Sequence, residues 1–135
     1  ILNVFRHPAT PSRFVVLSGD VHYAFVYDVE LRGRHRGPDI WQICSSGLRN
    51  AFPDTLLATL DRLNRWLYAP RSPLNWFTRR RHMRVIPREP YGSTDPTRRL
   101  VNGSSIGLVE LRDDGAPWRI RQWMADGAVV TFLRK

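Results

Sequence analysis

The sequence predicts an α+β fold built mostly of strands, and three observations lead there. Short apolar runs with strand-like patterning fill the first third of the chain. One stretch in the middle, residues 53–68, carries leucines at helical spacing. The last third holds three strand-like segments separated by Asp-Gly turns, the pattern of an antiparallel meander.

In chain order, residues 1–5 fit either a helix end or a short strand, and residues 6–12, with Pro8 and Pro11, read as a loop. The unbroken run Phe14-Val15-Val16-Leu17 ahead of Ser18-Gly19 has the pattern of a strand buried on both faces. Residues 22–31 alternate around Tyr23, Phe25, Tyr27, Val29 and Leu31 and make a second strand. Residues 32–38 combine two glycines, a proline and four basic side chains, so an exposed connection is expected there. Residues 40–44 form a third strand that ends in Ser45-Ser46-Gly47. The central stretch is the one clear helix: Asp54 serves as its cap, Leu56, Leu60, Leu63 and Leu67 repeat along it, and Pro70 stops it. Ser72-Pro73 then offers an N-cap followed by proline at the first helical position, introducing a short second helix over residues 74–83. Residues 87–97 hold three prolines and a glycine and read as a long loop. Beyond them come the run at residues 106–111, the turn Asp113-Asp114-Gly115, an alternating strand at 118–125, the turn Asp126-Gly127 and a last strand at 129–133.

A chain of 135 residues with 42% hydrophobic content can bury one core, which excludes wholesale disorder. No window approaches the roughly 18 consecutive apolar residues of a membrane helix, and residues 1–5 lack the length and basic flank of a signal peptide, so no membrane partner is expected. The first residue is Ile1 rather than Met, which reads as a start within a longer polypeptide. The formal charge of +9 invites a nucleic-acid reading. Twenty of the 21 basic residues are Arg, however, with Lys135 the single lysine, and that skew fits an arginine-rich codon bias better than a selected surface. Cys44 is the only cysteine, so no intrachain disulfide forms; within Ile40-Trp41-Gln42-Ile43-Cys44 it reads as a buried, unreactive thiol.

The stretch richest in chemistry is residues 13–24, where an apolar strand meets Ser18-Gly19-Asp20 and His22 follows two positions later. Carboxylate and imidazole held on a rigid turn suit a hard or borderline metal, although two ligands do not complete a site. The same residues also suit a plain turn, with Asp20 as turn-former and His22 opening the next strand; local pattern leaves both readings open. In residues 45–50, backbone amides after a strand, together with Ser46, Arg49 and Asn50, can contact a phosphate, or can simply satisfy a strand-to-helix connection. The run Arg79-Arg80-Arg81-His82-Met83-Arg84 follows Trp76 and Phe77, which fits either a nucleic-acid grip or a solvated helix end. His35 lies between Arg34 and Arg36, whose charges repel a cation. His7, His22, His35, Cys44 and His82 share no short ligand spacing, so a zinc site is not expected. The chain has neither a glycine-rich nucleotide loop nor a Gly-x-Ser-x-Gly elbow.

The segment Val15-Val16-Leu17-Ser18-Gly19-Asp20-Val21-His22-Tyr23 resembles the last metal-binding motif of the calcineurin-like metallophosphoesterases. It is nearest to the alkaline phosphatase D-like branch, where aspartate replaces the motif's usual first histidine. Trp41-Gln42-Ile43-Cys44-Ser45-Ser46-Gly47-Leu48-Arg49-Asn50 is similar to that branch's strand-and-turn segment, and Asn102-Gly103 through residue 111 to its C-terminal β segment. The resemblance implies an α/β/β/α sandwich around two divalent or trivalent metal ions and hydrolysis of phosphate mono- or diesters. It makes His22 a metal ligand and puts Asp20 in the place of the other motif histidine, with no catalytic residue independent of the metals. The family's earlier motifs, an Asp-x-His, a Gly-Asp with a following acid and an Asn-His pair, are absent from these residues. The resemblance therefore implies that residues 1–135 are the C-terminal portion of one metallophosphoesterase domain. Such a portion would supply the last motif of a phosphatase or phosphodiesterase, and would be inactive and unable to hold two metals tightly alone. The competing expectation is a non-catalytic β-rich module that binds nucleic acid or another polyanion through its arginines; a third is a family member whose site has decayed into a scaffold. Without its sheet partners, residues 14–17 would keep an uncovered edge or face, which favours self-association.

Overall fold

Two-residue alternation decides which side of each strand turns inward, and here it builds two sheets around one shared interior. The computed structural model describes residues 7, 9, 13–19, 21–31, 38–45, 47, 52–69, 71–80, 83–93, 95 and 97–134, the side chains of 78–80 excepted. Their elements are β1 (Arg13–Ser18), β2 (Tyr23–Leu31), β3 (Asp39–Cys44), α1 (Asp54–Leu67), α2 (Pro73–Arg80), β4 (Met83–Pro87), β5 (Glu89–Tyr91), β6 (Val101–Asn102), β7 (Ser105–Leu111), β8 (Pro117–Met124) and β9 (Val129–Leu133). The expected α+β class is what forms.

The first sheet has the order β1-β3-β2-β4, with β6 pairing the start of β2. Its β1–β3 pair is parallel and its other pairs are antiparallel. The second sheet, β5-β9-β8-β7, is antiparallel throughout and contains the expected meander β7–β9. Both meander turns place a glycine at left-handed φ, Gly115 at 80° and Gly127 at 86°, a conformation that costs other residues more. The sheets meet face to face. Ala24 and Val26 of β2, Trp41 and Ile43 of β3 and Val101 of β6 pack with Ile120, Val130 and Phe132 of the second sheet. Each large side chain so buried contributes about 1.5–3 kcal/mol of apolar transfer.

The chain passes from one sheet to the other at Arg88, between β4 and β5. Its N–H donates to the Val26 carbonyl at 2.9 Å, and its Nε lies 2.9 Å from Asp28 Oδ1, both side chains being buried. Burial pushes the Asp28 carboxyl above its ordinary range, with Arg88 and Arg134 opposing that shift.

The opposite face of the first sheet carries α1. The Tyr27 ring lies 5.1 Å from that of Tyr68, and the Tyr27 hydroxyl accepts from Asn64 Nδ2. Asp61, buried, accepts from the backbone N–H groups of Arg99 and Leu100 and from Arg65 Nε.

Several expectations are corrected. Asp54 is not the cap of α1: Pro53 occupies the N-cap position without a side-chain bond, and Asp54 sits in the first turn, accepting from Asn102 Nδ2 and Arg98. The leucine repeat does not mark the buried side, because Leu57 and Asp61 are buried while Leu56 and Leu63 are exposed. The second helix does start at Ser72-Pro73, with the Asn75 N–H donating to Ser72 Oγ at 3.0 Å, and is described over Pro73–Arg80, without reaching Met83. Met83 instead opens β4, held opposite Leu31 by pairing with β2. Residues 87–97 are not one loop, since β5 forms there against β9. Pro87 and Pro90 both lie in strands at sheet edges, where a missing N–H is tolerated. Finally, β1 is not buried on both faces: Val15, Val16 and Leu17 are exposed, Leu17 by 70%, and among the described residues β1 is the last strand of its sheet. Residues 1–5 and 32–37 lie outside the described residues. Among the described residues no helix is long and apolar enough to cross a membrane.

Candidate functional site

Three strand ends converge around the turn that holds His22. The parallel strands β1 and β3 finish with Ser18 opposite Cys44, and the Ser45 N–H donates to the Ser18 carbonyl at 3.1 Å. Antiparallel β2 begins at the same end, with Phe25 opposite Cys44. The turn therefore sits at the carboxyl ends of a parallel pair, where α/β sheets commonly bind ligands. Gly19 is not demanded by the fold, since a β-carbon there would meet the Ser45 carbonyl oxygen at an ordinary 3.8 Å. The unusual backbone is at His22, whose φ of 60° is the one positive value at a non-glycine among the described residues. Left-handed backbone costs an L-residue roughly 1–2 kcal/mol, so its surroundings must hold it there.

Those surroundings are well defined. The His22 ring, on an exposed residue, stacks on Phe52 at a centroid distance of 6.3 Å and an interplanar angle of 29°. Phe52 meets Tyr23 edge-on at 5.6 Å. The Phe52 backbone is gripped from both sides by one amide: its N–H donates to Asn102 Oδ1 at 3.1 Å, and its carbonyl accepts from Asn102 Nδ2 at 2.8 Å. Asn102 reaches this place because β6 pairs it with Tyr23.

Cys44 lies under the same strand end, buried, with Sγ donating to the Tyr23 carbonyl at 3.7 Å. Burial pushes its thiol above the ordinary value, as befits a packed rather than a nucleophilic cysteine. Burial likewise raises the Tyr23 phenol, with Cys44 adding to the shift.

The residue after β3 is tied to the second sheet. Ser45 Oγ donates to Gln122 Oε1 at 2.9 Å, and Ser105 Oγ donates to the same oxygen at 3.1 Å. Gln122 is fully buried, and its Nε2 has no hydrogen-bond partner among the described residues. Gly107 makes room for the group, since a β-carbon there would stand 3.1 Å from Ser45 Oγ and 3.3 Å from Gln122 Nε2.

Of the residues singled out from sequence, the structure places His22 at this convergence. Asp20, Ser46, Arg49 and Asn50 lie outside the described residues, as do His35, Arg81 and His82. Among the described residues no three His, Cys, Asp or Glu side chains group to hold a metal ion. They fit the role of one imidazole ligand and not that of a complete metal centre. Sequence reasoning missed Phe52, Asn102 and Gln122 as parts of the site. Asn102-Gly103 reads from sequence only as the start of the C-terminal β segment, and the hold of Asn102 on Phe52 spans fifty residues and leaves no local signal. No known protein family, curated protein or solved structure matches the chain.

Proposed function

We propose that this chain contributes one wall of a two-metal phosphoesterase site, with His22 as a metal ligand and Asp20 beside it. The remaining ligands would be supplied by sequence outside these residues. The observation that carries the reading is His22 itself: a histidine held at left-handed φ on an exposed turn where three strand ends meet. Strained backbone persists where its surroundings hold it, often at functional sites, and the surrounding motif Ser18-Gly19-Asp20-Val21-His22 resembles the ligand-bearing turn of the metallophosphoesterases. The parent would be a phosphate mono- or diester hydrolase in a four-layer sandwich, to which the two facing sheets and α1 would belong. Paired metals in such a site polarise the phosphoryl group and stabilise the attacking and leaving oxygens.

The test is an assay of the full-length gene product on an aryl phosphate and an aryl phosphodiester with added divalent metals. Metal-dependent turnover is expected, and His22→Ala should lower it by at least about 100-fold, because a metal's charge stabilisation is worth several kcal/mol. Full activity in His22→Ala would overturn the assignment. The 135-residue chain alone is expected to show no turnover.

One observation favours a second reading. Trp76, 60% exposed, and Phe77 stand on α2 directly ahead of the arginine run, an arrangement suited to a polyanion. Nucleic-acid binding with a steep salt dependence, lost on replacing Arg79, Arg80 and Arg81 together, would support it.

A further inference from the structure

We infer that Asn102 is a positioning residue for His22, acting through Phe52; the functional importance of this rests on the proposed role of His22. The imidazole sits on an exposed turn, and the ring contact that orients it is the stack on Phe52. Phe52 lies in neither strand nor helix, so no ladder or helical turn fixes its backbone. The Asn102 amide does so instead, donating and accepting at one residue as an opposite strand would. Its orientation is determined by four contacts: Oδ1 also accepts from the Gly103 N–H at 2.9 Å, and Nδ2 also donates to Asp54 Oδ1 at 3.1 Å. Turning the amide over would set its donor against two N–H groups. Gly103, at φ 110°, lets the chain turn away directly behind the amide.

Chemistry restricts position 102 to an amide. The grip needs a donor and an acceptor in one short planar group, which aspartate lacks. A carboxylate there would also face that of Asp54. Because the Asn102 backbone pairs with Tyr23, the residue after His22, while its side chain grips Phe52, one residue links both supports of the imidazole: the strand that follows it and the ring it stacks on.

NMR of the His22 ring protons in the isolated chain, assigned with His22→Ala, tests this without any activity. Phe52→Leu, which leaves the backbone hydrogen bonds to Asn102 in place, should move those resonances by removing the ring current. Asn102→Ala should move them in the same direction, and the double variant should move them no further than Phe52→Leu. Asn102→Asp, keeping the acceptor alone, should fall between. Unmoved His22 resonances in an Asn102→Ala protein with wild-type circular dichroism would overturn the inference, as would a double variant whose shifts simply add. Should Asn102→Ala fail to fold, Asn102→Asp and Phe52→Leu carry the same comparison. In the full-length product, Asn102→Ala should cost about 10–100-fold in metal affinity or turnover, the usual loss for a group that orients a ligand. Shifted resonances with an active His22→Ala enzyme would retain Asn102 as the orienting group and remove the ligand role of His22. Unshifted resonances with an inactive His22→Ala enzyme would do the reverse.

Discussion

The two sheets share one interior but differ in what their other faces meet. The first sheet is covered there by α1 and its C-cap, through Asn64 and Tyr68 against Tyr27. The second presents Ile106, Trp123 and Val129 directly opposite one another on β7, β8 and β9, exposed by 63%, 54% and 44%. Strands β7–β9 are thus apolar on both sides, and hydrophobic alternation alone does not choose their inside. The choice falls the unexpected way at adjacent positions of β8: polar Gln122 is fully buried and Trp123 is exposed. Gln122 faces inward because Ser45 and Ser105 give its oxygen two donors there. A buried polar group is stable where its partners wait for it, and those partners come from distant parts of the chain.

The largest expected effect tests whether the two faces differ energetically. Phe132→Ala removes a ring from the shared interior and should cost about 3–5 kcal/mol in chemical denaturation. Trp123→Ala removes a larger side chain from the open face and should cost less than about 1 kcal/mol, the range of cross-strand pairs. Similar costs for the two would mean that the outer face is covered in solution, and the contrast between the faces would collapse.

The second test concerns the charge pair where the chain changes sheets. Asp28→Asn keeps the shape and holds position 28 neutral at every pH, as protonation of the buried carboxyl does, so it should cost less than the roughly 3 kcal/mol of a broken buried pair. Because burial raises the folded carboxyl above its unfolded value, Asp28 binds its proton more tightly in the folded protein. Its contribution is therefore fully present below the ordinary carboxylate range and declines as pH rises through the raised folded value. The wild type should show this decline in denaturant stability across mildly acidic pH, and Asp28→Asn should lack it. A wild-type stability that instead rises with pH across this range, with that rise absent from the variant, would mean that Arg88 and Arg134 outweigh desolvation.

How much was legible in the sequence follows the range of the interactions involved. The strands β2, β3 and β7–β9, the helix α1 and the Ser72-Pro73 start of α2 rest on local pattern, and they were readable. The strands β4 and β5 were hidden by Pro87 and Pro90, which look like breakers until the sheet order shows both strands at edges. The buried side of α1 was hidden because Asp61 docks onto the backbone of residues 99–100, almost forty positions away. At the candidate site the strand–turn–His unit was legible as pattern. The left-handed φ of His22 has no signature in its own residue type, and the Asn102–Phe52 support behind it forms where β6 pairs with β2.

The smallest expected effect probes how the helix holds the covered face. Tyr27 of β2 packs against Tyr68, and its hydroxyl accepts from Asn64 on α1. Burial, reinforced by Tyr68, raises the Tyr27 phenol well above its ordinary value. A raised folded value means that Tyr27 stays neutral where the unfolded chain begins to ionise. Its contribution is thus complete below the ordinary phenol range and is lost as pH climbs through it towards the folded value. Tyr27→Phe keeps the ring packing and removes one hydrogen bond, so it should cost about 1 kcal/mol near neutral pH. The variant should also lose stability less steeply in alkali than the wild type, because it has no phenol there to titrate. Denaturation series on both proteins from neutral to strongly alkaline pH would show the curves drawing together as pH rises. Parallel curves would mean that the phenol is solvated in both states, and that the packing of α1 on β2 is looser than its ring contacts imply.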